Sequence, residues 1–162
     1  MRGDYWNHVR QAYRDVSIYD GAKVCLPAFQ RLPAYVGDLL AAYWFLSELS
    51  NGGLLQFFLN PAGVLAPEAA QGFERMGLPQ VAELVRKAMA YFGPTYPREM
   101  EERVAFLARQ SGHTPEDEDW QPFAHQPFDA IERRLYEIGA PDLSTIYDVM
   151  DMYAARNAAA VR

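Results

Sequence analysis

Apolar residues recur at spacings of three and four through most of the chain, and no stretch of useful length alternates strictly, so the pattern predicts an all-α fold. Trp6, Val9, Tyr13 and Val16 share one face of a first segment, with Asp4 positioned to cap it, Arg10 and Arg14 on its other side, and a stop near Asp20-Gly21. A short turn is expected around Val24 to Phe29. Pro33 suits the first turn of a helix and opens a segment to Ser50 that is apolar nearly all the way round, through Val36, Leu39, Leu40, Tyr43, Trp44, Phe45, Leu46 and Leu49. A helix without a polar face must be buried on all sides, so this one is expected at the centre.

Leu54 to Leu59 follows the break at Asn51-Gly52-Gly53 and leads into Asn60-Pro61-Ala62-Gly63, which has the composition of a turn. Pro67 to Met76 reads as a helix closed by Gly77. Pro79 starts the next, with Val81, Leu84, Val85, Ala88 and Phe92 facing inward until Gly93-Pro94 ends it. Pro97 to Gln110 carries Met100, Val104 and Leu107 on one side, with Glu99, Glu101, Glu102 and Arg103 around them. In the polar linker that follows, Thr114-Pro115-Glu116-Asp117 reads as a helix start, with Thr114 as cap. Pro127 to Ile138 and a last helix from about Leu143 complete the set, with Ala158-Ala159-Ala160 expected to fray. The prediction is a single compact domain over residues 1–162 with about seven or eight helices. Two Gly-x-Pro sequences, Met76-Gly77-Leu78-Pro79 and Ile138-Gly139-Ala140-Pro141, are expected to form helical hairpins, glycine taking the left-handed position and proline the next first turn.

Polar residues interrupt the most hydrophobic third of the chain at Glu48-Leu49-Ser50-Asn51-Gly52-Gly53-Leu54-Leu55-Gln56-Phe57-Phe58-Leu59-Asn60. If the helix continues with a kink, Glu48, Gly52, Gln56 and Asn60 lie four apart on one face. Alternatively Asn51 or Gly52 adopts a left-handed conformation and re-aims the chain. Glu48, Asn51, Gly52, Gly53, Gln56 and Asn60 then have two readings: groups that tie loop backbone into the core, or the lining of a small-molecule pocket.

From about Tyr43 to Phe92 the chain resembles the bacterial helical domain family typified by the C-terminal domain of a DNA-mimic protein. The resemblance runs through the acidic residue followed by Asn-Gly-Gly, Gln56 to Asn60, Ala62-Gly63, Ala66-Pro67-Glu68-Ala69, the Met76 to Pro79 turn, and Val81 to Phe92. It implies an all-helical fold. For the family's namesake it implies an acidic surface that resembles the charge of duplex DNA and occupies the DNA-binding face of a transcription regulator.

Charge sharpens this picture. The net charge of −6 disfavours direct contact with nucleic acid, which needs clustered Lys and Arg. Residues 1–98 are nearly neutral, whereas the later part, 99–151 above all, is acidic. The carboxylates expected to form an interaction surface are Glu99, Glu101, Glu102, Glu116, Asp117, Glu118, Asp119, Asp129, Glu132, Asp148 and Asp151, joined by Glu137 and Asp142. Arg98, Arg103, Arg109, Arg133 and Arg134 are interleaved with them. An ordinary solvated helix exterior is the competing reading.

No catalytic constellation is recognisable. His8, His113 and His125 sit in different segments, and Cys25 has no second cysteine, so neither a metal site nor an activated thiol is expected. No cofactor is expected. Glycine-rich phosphate loops and nucleophile elbows are absent. The chain opens without the apolar run of a secretory signal, and its longest apolar stretch is too short to span a bilayer, giving a cytoplasmic expectation. Trp120 is the aromatic residue expected as an exposed anchor. These readings converge on an acidic helical protein-interaction module that competes, like a DNA mimic, for a basic DNA-binding protein. The alternative is a small-molecule-binding protein or enzyme with its pocket near Glu48, Asn51, Gln56 and Asn60. Pairing into a homodimer through an exposed apolar face is a further expectation.

Overall fold

The computed structural model describes residues 4–160, and every regular element among them is helical. Two single turns, α1 (Trp6–Val9) and α2 (Ala12–Asp15), replace the expected continuous first helix. The backbone stays helical through Arg10 and Gln11, so only the hydrogen-bond ladder is interrupted, and Val9, Ala12 and Val16 still face the core. Asp4 is exposed and caps nothing through its side chain. Where a short turn was expected, α3 (Ala22–Gln30) is a helix of 9 residues with Pro27 inside it.

The central helix is α4 (Ala34–Leu59), 26 residues long, with Pro33 immediately before it as expected. It packs against α1 and α2 and against α5 (Ala66–Arg75), α7 (Met100–Gln110), α8 (Asp129–Ile138) and α9 (Ser144–Ala160). Leu39, Leu40, Phe45, Leu46, Leu54, Phe57 and Phe58 are fully excluded from solvent or nearly so. Full burial of one such side chain is worth about 2 kcal/mol, so α4 dominates the stability. A buried 3₁₀ turn, Pro61–Leu65, follows it where the sequence predicts a turn. Ala158 to Ala160 continue α9 rather than fraying.

The two Gly-x-Pro sequences both join helices, by different means. Between α5 and α6 (Pro79–Ala90), Gly77 takes φ +87 and the Leu78 N–H reaches back to the Phe73 carbonyl at 2.8 Å, closing the helix as expected. Between α8 and α9, Gly139 has an ordinary φ of −86, and Asp142 and Leu143 hold the positive values instead. Glycine is needed at 139 for space: a Cβ there would lie 2.9 Å from the Leu143 Cα and 3.2 Å from the Ile146 Cδ1.

Thr114-Pro115-Glu116-Asp117 forms a turn and no helix. The Asp117 carboxylate accepts from the Thr114 N–H at 2.7 Å, half of a capping arrangement, yet the chain continues irregularly through a 3₁₀ turn at Pro122–Ala124. Among the described residues, no helix is long and apolar enough to cross a membrane.

Candidate functional site

The break in α4 lies at Gly52 (φ −164, ψ 18) and Gly53 (φ 81, ψ −174), so two helical arms meet at a kink and the chain is re-aimed by a positive φ at Gly53 rather than at Asn51 or Gly52. The kink keeps half-buried Glu48, Gln56 and Asn60 together, with Gly52 exposed between them. Gln56 Nε2 and Asn60 Nδ2 both donate to Glu48 Oε2, at 2.9 and 2.8 Å. Gln56 folds across Gly52 to reach Glu48, and any side chain at 52 would meet its amide oxygen. Asn51 is exposed.

The second arm of α4 ends against a buried cation. Arg103 is wholly excluded from solvent and donates from Nε to the Phe58 carbonyl at 2.8 Å, from Nη2 to the Asn60 carbonyl at 2.8 Å and from Nη1 to the Arg98 carbonyl at 2.6 Å. Among the described residues no carboxylate pairs with it; the carbonyls at the C-terminal, negative end of α4 take that role. Burial pulls its pKa below the usual range, an effect opposed by the nearby Tyr96, Glu101 and Glu99. Gly63 leaves room for it, since a Cβ there would stand 2.8 Å from Arg103 Nε. Tyr96 Oη donates to the Gly63 carbonyl at 2.7 Å, and Arg98 grips Glu68 through two hydrogen bonds of 2.7 and 3.0 Å. Arg98 and Arg103 are therefore spent inside the molecule.

The acidic candidates divide by what they touch. Glu99 accepts from the Ala22 N–H at 3.2 Å, Glu132 from the Leu54 N–H at 2.7 Å and Asp151 from the Tyr5 N–H at 2.7 Å. Each of those amides stands at or just before the first turn of a helix or helix arm, where donors lack intrahelical partners. The three carboxylates are N-caps supplied from distant sequence, and Gly21 and Gly53 give two of them access: a Cβ at Gly53 would lie 2.6 Å from Glu132 Oε1. Asp117 closes its own turn, and its pKa is lowered by the Thr114 backbone hydrogen bond. Glu137 pairs with Arg134 at 2.7 Å, and Asp119 lies 3.8 Å from His113 Nε2.

Glu101, Glu102, Glu116, Glu118, Asp129 and Asp148 remain exposed. Glu101 and Glu102 lie on α7, and Glu116 faces it. Glu101, Ala105 and Arg109, four residues apart, form a ridge with an open trough on each side. One trough, about 500 Å³, is lined by Met100, Val104, Thr114, Pro115 and Glu116; the other, about 520 Å³, by Phe92, Thr95, Pro97, Glu102 and Phe106. A separate cleft of about 420 Å³ opens between α3, α4 and α5 beside Asp38, whose carboxylate accepts from Arg75 at 2.6 Å and from the Tyr153 hydroxyl at 2.8 Å. Trp120 is half-buried against the core, and Phe123 is the exposed aromatic of the acidic linker.

The model of the DMP19-like protein family matches residues 30–157, from the end of α3 almost to the end of α9. The chain belongs to that family. The match takes in the kinked motif, the inward arginines and the whole acidic half, well beyond the 43–92 stretch whose residues carry the resemblance. No curated protein and no solved structure matches the chain.

Within the family domain, the motif residues and their partners explain one another. The Phe58, Asn60, Gly63 and Val64 carbonyls are the acceptor side of a seam whose donors are Tyr96, Arg98 and Arg103, the two arginines being residues that the sequence pattern places among the surface charges of the acidic half. Arg103 falls three residues after Met100 and four before Leu107, on the inward stripe of α7, and that register was the available signal. Glu132 lies likewise between Phe128 and Leu135 on the apolar stripe of α8, and Asp151 between Tyr147 and Ala154 on that of α9.

Proposed function

We propose that this chain is an acidic helical protein-interaction module that competes with nucleic acid for a basic DNA-binding protein. The observation that carries this reading is the outer face of α7 in a DMP19-like chain: Glu101, Glu102 and Glu116 gather there without an ion pair among the described residues, while Arg98 and Arg103 point inward. Carboxylates held in this way attract a basic surface at long range, raising the association rate and making it fall with salt. A helix of 11 residues is about 16 Å long, short for a track of DNA-like charge, so we include the pairing of two copies in this reading.

Against a ligand pocket at the kinked motif stands the internal use of its groups, since the Gln56 and Asn60 amides are both spent on Glu48. The test is capture on the immobilised chain at low salt, release by a salt gradient, and a displacement assay of the released protein on labelled duplex DNA. The reading expects a basic DNA-binding protein that the chain removes from DNA. Release of no such protein, or no displacement at any concentration, contradicts it. Light scattering reads the pairing of copies separately.

A further inference from the structure

We propose that the troughs flanking α7 receive an amphipathic, lysine- or arginine-flanked helix of a partner protein, with its apolar side chains astride Ala105. This rests on the reading of the chain as a module for a basic partner and specifies where and how that partner is held. The floor on one side is Met100 and Val104, and on the other Phe106 and Phe92, so both troughs are apolar at depth. Their rims are Glu101, Glu102 and Glu116, none of which makes a side-chain hydrogen bond or ion pair among the described residues. Apolar depth with an acidic rim calls for apolar anchors bordered by cations, the pattern of a helix laid in a groove.

Ala105 makes the geometry work. It stands at the crest between the troughs, where a larger residue would divide them, and its small side chain leaves a saddle that a crossing helix can straddle. The ridge is also polarised. Glu101 and Arg109 are eight residues apart on α7, about 12 Å along its axis, and Arg109 faces both troughs. A bound helix whose cations lie toward one end is held with that end at Glu101 and kept from the reverse orientation by Arg109, which selects its direction.

The test uses the full chain and two labelled peptides of about 18 residues, enough for a helix to form on binding. One carries leucine at helical spacing on a lysine background; the other has the same composition with the leucines scattered around the helix. Fluorescence anisotropy at near-physiological salt should show the facial peptide binding about tenfold more tightly than the scattered one. Ala105→Tyr should erase that preference with an unchanged circular dichroism spectrum, and Arg109→Glu should tighten the facial peptide about threefold. Equal binding of both peptides, no binding of either, or a preference that survives Ala105→Tyr overturns the proposal. DNA displacement by the same wild-type preparation separates this failure from failure of the interaction reading: displacement without peptide preference sinks the groove alone, and neither effect sinks both.

Discussion

Glu132 Oε1 stands 2.7 Å from the Leu54 N–H, so a carboxylate from the acidic half caps the second arm of the central helix at its glycine kink. The same device recurs with Glu99 at Ala22 and Asp151 at Tyr5. A charged acceptor on an amide without an intrahelical partner is worth about 1–2 kcal/mol. Glu132→Ala is expected to destabilise the protein by about 2 kcal/mol in urea unfolding, and Glu132→Gln by about 1 kcal/mol because an acceptor remains. A change within experimental error for Glu132→Ala would show that the carboxylate caps nothing in solution.

Gly53 and Gly77 both have positive φ, but Gly53 adds a ψ of −174 that glycine alone readily adopts and a crowded surrounding. A Cβ at Gly77 meets nothing within 4 Å, whereas one at Gly53 collides with both Glu132 oxygens. Gly77→Ala should cost about 1 kcal/mol from conformation alone. Gly53→Ala should cost about 3 kcal/mol, and less when Glu132→Ala is already present. An unchanged cost of Gly53→Ala in the Glu132→Ala background would mean that the contact with Glu132 adds nothing.

Arg103 is expected to be the most sensitive charged position. Arg103→Leu removes the buried guanidinium from the Phe58, Asn60 and Arg98 carbonyls, of which Asn60 keeps only the Gly63 N–H, and should cost about 3–5 kcal/mol, enough to unfold a marginal domain. Arg103→Lys, which cannot span the same acceptors, should recover less than half of that loss. Exposed Arg109→Ala should change stability by no more than about 0.5 kcal/mol. Thermal unfolding of the three variants gives the ranking.

Alkaline stability follows from two buried groups. Burial pushes the Cys25 thiol up to about 11, and burial together with the hydrogen bond to Asp38 pushes Tyr153 up to about 12. Both folded values lie above the usual ones, so their contribution is complete at neutral pH and is lost as pH rises from about 9 through about 12. Tyr153→Phe should flatten the upper part of that decline, and Cys25→Ala the lower part. Burial raises Tyr96 as well, so some alkaline loss persists in both variants. A profile identical to wild type in both would contradict the assignment.

The fold was legible where apolar periodicity was strong and unopposed. The position of α4 followed from an apolar surface on every side, and the α5–α6 reversal from Gly77 and Pro79. The helix α3 was hidden by Pro27 in its interior and by having only Ala22 and Cys25 buried. The site was harder to see because its decisive partners are backbone groups. A carbonyl accepting from Arg103 or an amide donating to Glu132 leaves no mark on residue identity, so both side chains read as solvated charge. What the sequence does contain is their register on apolar stripes. A carboxylate or guanidinium on the inward face of an amphipathic helix must find a partner, and here each finds the end of another helix.

The acidic half thus divides its carboxylates between holding the fold and facing outward, and one comparison tests that division together with the proposed role. Displacement of the captured DNA-binding protein from labelled duplex should be measured for the wild-type chain and for Glu101→Gln/Glu102→Gln/Glu116→Gln. The account predicts about a tenfold loss of competition and a weaker salt dependence, with thermal stability unchanged. Undiminished competition by the neutralised chain would contradict it.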